Sequence, residues 1–380
     1  MKHLNRNPNR NPNRNLNRNL NPPPLCPRQL HTARTLYSNS PNCSQAAKNS
    51  PAGSASFDSF NLFNPFNSLG CALAALCPSV SVRVRPCLLL TLVLAATILP
   101  TSAADKKIVF VAGSPSHGPA QHEHRAGCLL LKSCLDKVPR ISSVVYSNGW
   151  PQDPQAFDGA AGVVLYMDGG AGHPATQDGH LQTLAALMKK GVGLACIHYA
   201  TEPTIERGQK EFLDWIGGAF EINWSVNPHW TADFKQLPKH PIARGVQPFT
   251  INDEWYFHIR FREGMKGVTP ILTAVAPEST MERPDGTHSG NPAVREAVKR
   301  AEPQHVAWAA QRPGGGRGFG FTGGHFHRNW GDDNFRKLVL NAILWTAQIE
   351  VPPNGVQSKV TADDLEQNLD PKGERKKKKE

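Results

Sequence analysis

Histidines and carboxylates collect directly after segments that have the pattern of buried strands. The first such group follows the apolar run at 106–113. It contains four side chains that can transfer protons or bind a metal ion: His117, His122, Glu123 and His124. Their spacing matches no zinc-protease motif. A surface loop that leads into a helix, with Glu123 in the first turn, would explain the same residues.

A second group lies at the end of the apolar run at 191–198. His198 stands at the expected strand-to-helix turn, where α/β hydrolases and class I amidotransferases place a nucleophile. Cys196 lies two residues earlier, inside the strand, and we expect it to be an inert core thiol. We therefore expect His198, followed by Tyr199, to be functional.

Carboxylates and aromatic side chains alternate in a third segment. Asp253 and Glu254 precede Trp255 and Tyr256. Carboxylates hydrogen-bond hydroxyl groups and aromatic faces pack on sugar rings, so the segment suits sugar recognition. An ordinary half-buried strand is the alternative. Three nearby side chains could extend the same wall: Trp224, His229 and Trp230.

The fourth group follows the last predicted strand. Gly323 and Gly324 permit a tight turn before His325 and His327. A histidine in that turn can act as a general base or as a ligand.

Strand-like and helix-like segments alternate through the middle of the chain, as in doubly wound sheets. Strands are predicted at 106–113, 141–146, 162–166, 191–198, 268–276, 305–310 and 317–322, with short strands between 234 and 259. Helices are predicted at 123–135, 180–190, 206–216 and 334–346. The expected fold is an α/β doubly wound, mostly parallel sheet with helices on both faces. In such folds ligands bind beyond the carboxyl ends of the strands.

The termini differ in composition from this central part. We expect residues 1–81 to be a disordered, low-complexity segment that precedes the true start of translation. Residues 82–104 combine basic residues, a short apolar run and small residues, in the order of a signal peptide. The apolar run is too short to span a bilayer comfortably. Cleavage would remove it, so we expect no stable membrane span in the mature protein. We assign 105–356 to one domain and 357–380 to a polar, basic-ended tail, expected to be solvated.

Charge and cysteine content narrow the function classes. The chain has 380 residues and a formal net charge of +11. Most of the excess lies before residue 105, where ten basic residues face a single acidic one, so we expect no nucleic-acid partner. Only three of the eight cysteines fall in 105–356, too few and too widely spaced for a disulfide framework.

Together these segments resemble the ThuA-like (trehalose utilisation) family of the class I glutamine amidotransferase-like superfamily. The resemblance covers nearly all of 106–346. It rests on Ser116-His117 with His122-Glu123-His124, on Ile197-His198-Tyr199-Ala200-Thr201, on Asp253-Glu254-Trp255-Tyr256, on Gly323-Gly324-His325 and on residues 335–345.

The resemblance implies a flavodoxin-like fold and work on carbohydrates. His198 would stand where amidotransferases carry their cysteine, and His325 at the second catalytic position. Because an imidazole cannot form the glutamyl thioester, the chain is not expected to be a glutamine amidotransferase. Family members that use trehalose and related disaccharides through 3-keto-sugar intermediates suggest the substrate class.

The leading hypothesis is an exported, periplasmic or extracellular protein that acts on a disaccharide or 3-keto-glycoside by histidine acid/base chemistry. His198, His325 and Glu254 are the expected catalytic residues. The sugar is expected to contact His117, His122, Glu123, Tyr199, Trp224, His229, Asp253, Trp255, Tyr256 and His327.

Two alternatives remain open on the same residues. One is a metal-dependent hydrolase with Zn²⁺ as its cofactor, bound where His117, His122, His198 and His325 converge. The other is a non-catalytic carbohydrate-binding domain. In each case the expected partner is a small-molecule carbohydrate, with self-association into a homo-oligomer as a further option.

Overall fold

The computed structural model describes residues 105–373. The predicted low-complexity segment 1–81, the signal-like segment 82–104 and the last residues of the tail, 374–380, lie outside the described residues. Within the described range no helix has the length and apolar character needed to cross a bilayer.

A seven-stranded sheet forms the centre of the domain, in the order β2-β1-β3-β4-β11-β10-β9. Five adjacent strands run parallel, whereas β10 is antiparallel to both of its neighbours. The sheet strands are β1 (Lys106–Ala112), β2 (Ile141–Tyr146), β3 (Ala160–Tyr166), β4 (Gly193–Ile197), β9 (Val268–Val275), β10 (Pro303–Gln311) and β11 (Arg317–Phe321). Two small antiparallel pairs lie outside it: β5 (Gly218–Ala219) with β8 (Arg260–Phe261), and β6 (Trp230–Phe234) with β7 (Phe249–Asp253).

Helices cover both faces of the sheet, so side chains on the central strands are buried on alternating sides. In β1, Ile108 and Phe110 belong to one apolar cluster and Val109 and Val111 to the other. The helices are α1 (His124–Leu135), α2 (His180–Lys189), α3 (Gln209–Ile216), α4 (Pro292–Lys299), α5 (Asp333–Thr346) and α6 (Ala362–Leu365). Helices α1 and α5 supply the first cluster, α2 and α3 the second. The predicted doubly wound, mostly parallel α/β fold is confirmed.

Local chemistry accounts for the differences from the predicted elements. Helix α3 begins three residues later than expected, because Gly208 at its N-cap takes a left-handed conformation with φ of 101°. Helix α4 was not predicted at all, although Asn291 caps it by accepting a hydrogen bond from Val294 N. The glycine-rich run at 314–316 forms the turn of the β10–β11 hairpin.

The predicted solvated tail is described over 357–373, where every residue is half-exposed or exposed. Two of its contacts nevertheless reach buried groups of the domain. Arg336, buried in α5, donates to the side chain and carbonyl of Ser358. Farther along, the Lys372 side chain is 6% exposed and forms an ion pair with Glu123, which is 1% exposed.

We predict that the close approach of α5 to β4 makes Gly193 sensitive to substitution. A Cβ atom there would lie 2.3 Å from the carbonyl oxygen of Thr346. Gly193→Ala should therefore lower the free energy of unfolding by about 1–3 kcal/mol, measured by urea denaturation. Gly314→Ala is the matched control, since a Cβ there meets nothing within 4 Å. Equal stability of the two variants would contradict the packing described.

Candidate functional site

Four loops meet at the carboxyl edge of the parallel sheet. They follow β1, β3, β4 and β11, and they carry His122, Asp168, His198 and His325 respectively. Parallel neighbours end at the same edge of a sheet, so residues up to 203 positions apart in the chain come into hydrogen-bonding contact there. A fifth contributor, Glu254, arrives from the end of β7.

Unusual backbone conformations aim these side chains at one another. His198 has φ of 57° where β4 gives way to a single turn of 3₁₀ helix, and His122 has φ of 47°. Non-glycine residues rarely occupy this left-handed region. The first and last loops are also joined directly, because His122 N donates to the carbonyl oxygen of His325 at 3.0 Å.

Asp253 fixes the loop that carries His325. Its carboxylate is fully buried and accepts backbone hydrogen bonds from Gly324 at 2.8 Å and from His325 at 3.0 Å. It also accepts from Asn329 Nδ2 at 2.9 Å and from Glu254 N at 2.8 Å. One buried carboxylate therefore sets the positions of both His325 and Glu254.

Four atoms that can bind a metal ion converge at the centre of the site. His122 Nε2 lies 3.1 Å from His198 Nε2 and 3.0 Å from His325 Nδ1. Glu254 Oε2 lies 3.4 Å from His198 Nε2 and 3.0 Å from His325 Nδ1. All four atoms lie within 4.8 Å of one another, and the three imidazoles are buried.

The outer nitrogens of two rings determine where their protons reside. His122 Nδ1 lies 2.7 Å from Asp168 Oδ1, and His198 Nδ1 lies 2.7 Å from the carbonyl oxygen of Thr322. Both partners accept hydrogen bonds, so each Nδ1 carries a proton, and a ring in its neutral form presents a lone pair on Nε2. With both rings neutral, two lone pairs would face each other across 3.1 Å.

Burial and charge act in opposite directions on these groups. Burial lowers the pKa of His122 to about 2, despite its hydrogen bond to Asp168. For Glu254, burial favours the neutral acid, but hydrogen bonds from His198, His229 and His325 outweigh it and hold the pKa well below its usual range. Burial also lowers the pKa of His198, whereas the adjacent Glu254 more than offsets this and leaves that pKa raised. The cluster thus keeps a carboxylate and at least one neutral imidazole in a largely buried site.

The four converging residues fit a divalent transition metal. Tetrahedral zinc bonded to nitrogen at 2.0–2.1 Å places neighbouring ligand atoms about 3.3–3.4 Å apart. The separations of 3.0–3.4 Å given above are close to that spacing. The hydrogen bond from His122 to Asp168 is the outer-shell partner that metal-bound histidines usually have. The predicted set of metal ligands is thereby altered, because Glu254 takes the place of His117. His117 groups with His122 and Asp168 instead.

A polar cavity of about 240 Å³ opens beside this centre. Its lining includes four residues predicted from sequence: His117, Tyr199, Glu254 and Tyr256. The Tyr256 hydroxyl lies 3.1 Å from His198 Nε2, and the half-exposed His229 stands 3.6 Å from Glu254 Oε1. A larger cavity of about 730 Å³ next to β9 contains none of the predicted site residues, so size alone does not mark the site.

Seven of the predicted contact residues do not line the polar cavity. Trp255 packs among core aromatic rings, and Trp224 stacks on His258 beneath the guanidinium of Arg260. Glu123 faces the carboxyl-terminal segment, and Asp253 serves the loop described above. The full set is His122, Glu123, Trp224, His229, Asp253, Trp255 and His327.

Sequence reasoning missed several groups at the site. Asp168 could have been found, because it follows the buried strand β3 by two residues, at the same edge as His198. Asn227, Arg283 and His288 also line the cavity, but they come from irregular segments without a recognisable pattern.

Comparison with known proteins identifies the family of the chain. A family model described as ThuA, trehalose utilisation, matches residues 153–346, just over half of the chain. No curated protein matches the sequence.

Two solved structures titled as ThuA-like proteins are similar to the chain. The one from Bacteroides uniformis is 12% identical, with a TM-score of 0.48, and the match covers 64% of this chain and 93% of that one. The one from Parabacteroides merdae is 16% identical, with a TM-score of 0.43, and covers 68% and 94% respectively.

The buried carboxylate of Asp253 gives a prediction about stability. In Asp253→Asn an amide NH₂ would replace one accepting oxygen opposite backbone N–H donors. We expect a loss of about 1.5–3 kcal/mol in the free energy of unfolding, measured by chemical denaturation. The control is Asp233→Asn, which changes an exposed carboxylate of β6. It should change the free energy of unfolding by less than about 0.5 kcal/mol. Comparable effects of the two substitutions would argue against the positioning role of Asp253.

Proposed function

We propose, from the premise that this chain belongs to the ThuA family of trehalose utilisation, that it is an exported enzyme that modifies a sugar with the help of a divalent metal ion. The sugar-related role follows from the family itself. The ligands proposed for the metal are His122, His198, His325 and Glu254.

One observation carries the metal proposal: the inner nitrogens of His122 and His198 face each other at 3.1 Å, while the outer nitrogen of each ring is bonded to an acceptor oxygen. Two lone pairs at that distance repel unless a cation or a shared proton lies between them. Glu254 adds a negative charge to the same point, and His325 adds a third nitrogen. Three imidazoles and one carboxylate form a ligand set typical of zinc and related first-row metals.

The adjoining cavity supports a small polar substrate. At about 240 Å³ it is below the range of about 300–1,000 Å³ usual for drug-sized ligands. Hydroxyl, amide and guanidinium groups line it, supplied by Tyr199, Asn227 and Arg283. Such a lining suits one sugar unit whose hydroxyls exchange hydrogen bonds with both donors and acceptors.

The substrate class we propose is a disaccharide or 3-keto-glycoside. On the keto sugar, which itself carries the carbonyl group, the chemistry is proton transfer at the carbon next to that group. A divalent metal supplies polarisation of a substrate oxygen in such sites. His117 is placed to accept the proton: its half-exposed ring lines the cavity and stacks on His122 at 3.5 Å between ring centroids. Ser116 Oγ lies 3.0 Å from His117 Nδ1 and orients that ring.

A second candidate keeps His198 and His325 as the proton-transfer groups themselves, without a metal. Its support is the raised pKa of His198, where the effect of Glu254 exceeds that of burial. In addition, His325 Nε2 has no hydrogen-bond partner within 105–373, so the proton of this ring can reside on Nδ1, where Glu254 accepts it. This arrangement would fill the centre with a shared proton rather than a cation.

Metal analysis separates the two candidates. We expect the purified protein, after exposure to Zn²⁺ or Co²⁺, to retain close to one equivalent per chain. His122→Ala and His198→Ala should each reduce retention at least tenfold. His305→Ala, which changes a histidine of β10 outside the site, is the matched control and should bind as the parent does.

Turnover of a 3-keto-glycoside should be lost on chelation and return when the metal is restored. Full activity of the chelated protein, together with less than about 0.1 equivalent of metal in all variants, would overturn the metal proposal and favour direct acid/base catalysis. Sugar binding without any product would favour the non-catalytic alternative.

Export is the remaining part of the proposal, and it rests on the signal-like order of residues 82–104. Cell fractionation should find the protein outside the cytoplasmic membrane, with an amino terminus at or near Asp105. Amino-terminal sequencing that recovers an intact segment 1–81 on the mature protein would contradict this expectation.

A further inference from the structure

We propose that residues 357–373 form a carboxyl-terminal strap that holds the His122 loop in its ligand-binding shape, with Lys372 as the positioning residue. The inference deepens the proposed function, because His122 is one of the proposed metal ligands. Residues 357–373 lie beyond the matched family region, 153–346. The His122 loop, residues 117–123, lies outside that region as well.

The His122 loop has a backbone that would not keep its shape unaided. His117 and Ala120 each have φ of 60°, and His122 has φ of 47°. Three non-glycine residues in the left-handed region within six positions make this conformation costly, and it persists only where surrounding contacts over-determine it. The contacts that do so come from two distant parts of the chain.

The first set comes from the loop that carries His325. His122 N donates to the His325 carbonyl oxygen, and His327 N donates to the Ala120 carbonyl oxygen, both at 3.0 Å. These two bonds hold the amino side of His122 and the residue two positions before it.

The second set comes from Lys372. Its ammonium group donates to the carbonyl oxygen of Gln121, lies 3.3 Å from the carbonyl oxygen of His122 and pairs with Glu123 Oε1 at 3.0 Å. Three consecutive residues of the loop are thus bound by one cation. Glu123 Oε2 in turn accepts a hydrogen bond from Asp370 N at 2.8 Å.

The burial of this contact makes it specific. The Lys372 and Glu123 side chains are 6% and 1% exposed, so neither charge is well hydrated. Removing one partner of a buried ion pair is costly, because the other charge is left uncompensated. A buried pair therefore favours the one arrangement in which its two partners meet. Here the arrangement it fixes is the peptide of His122, bonded at N–H by one loop and at C=O by the strap.

The rest of the strap is anchored to the domain, so Lys372 is not a free end that happens to touch the loop. Val356 N donates to Asn341 Oδ1 at 2.8 Å, immediately before the strap begins. Ser358 accepts from Arg336, as described above, and Asn368 accepts a hydrogen bond from Arg125 at 3.1 Å through its carbonyl oxygen. The strap therefore crosses from α5 to the start of α1, next to His122.

The test uses the full chain and three variants. Lys372→Met combined with Glu123→Gln removes both charges of the closest ion pair and leaves Asp370, 3.9 Å from Lys372 Nζ and 4% exposed, as the remaining buried carboxyl. Lys372→Arg keeps the cation and serves as the conservative rescue. Lys359→Met, at an exposed lysine of the same strap, is the matched control.

Three measurements apply to each variant: the dissociation constant for Co²⁺ by competition, amide hydrogen exchange of residues 117–125, and the melting temperature without metal. For the double variant we expect a 10- to 100-fold weaker affinity, the range seen when outer-shell partners of metal ligands are removed, with faster exchange in the loop. Lys372→Arg should recover part of the affinity, and Lys359→Met should match the parent.

The readouts distinguish positioning from mere stability. If the double variant melts at a lower temperature but, while folded, binds Co²⁺ as tightly as the parent with unchanged loop exchange, the strap proposal is overturned. If the parent itself binds no metal, the proposed function fails instead, and loop exchange alone decides the strap: faster exchange supports it and unchanged exchange refutes it.

Discussion

Two hydrogen bonds on the outer nitrogens of buried imidazoles determine what the centre of this molecule can do. Asp168 accepts a hydrogen bond from His122 Nδ1, and the Thr322 carbonyl oxygen accepts one from His198 Nδ1. In the neutral rings the inner nitrogens are then lone pairs that face each other, and that of His122 also faces His325. In water, hydration would relieve the repulsion between these lone pairs. Because the rings are buried, a cation or a shared proton must relieve it instead.

The remaining architecture serves to hold those rings at that distance. Parallel pairing brings four loops to one edge, but pairing alone does not orient their side chains. Left-handed backbone at His122 and His198 does so, at a cost of order 1–3 kcal/mol for each such residue. Buried charges offset that cost from outside the loops, with Asp253 bound to the His325 turn and Lys372 to the peptide of His122. The site is thus stiff because strain and buried pairing are balanced within it.

The sequence was informative wherever the signal was local. Apolar runs marked the sheet strands, and the position directly after a strand pointed to His198 and His325, since both belong to the segment that ends there. Trp255 could not be placed in the same way, because only the packing of α5 and β11 decides that its ring enters the core. Glu123 has no local cue for its partner, Lys372, which lies some 250 positions along the chain.

The three cysteines of the described domain bear on how the chain folds. Cys128, Cys134 and Cys196 are free thiols, all buried. Burial raises the pKa of each, so thiolate, the form that exchanges with disulfides, is scarce even before solvent access is considered. Within 105–373, therefore, these three side chains contribute to the fold by packing as small apolar groups and not by covalent cross-links.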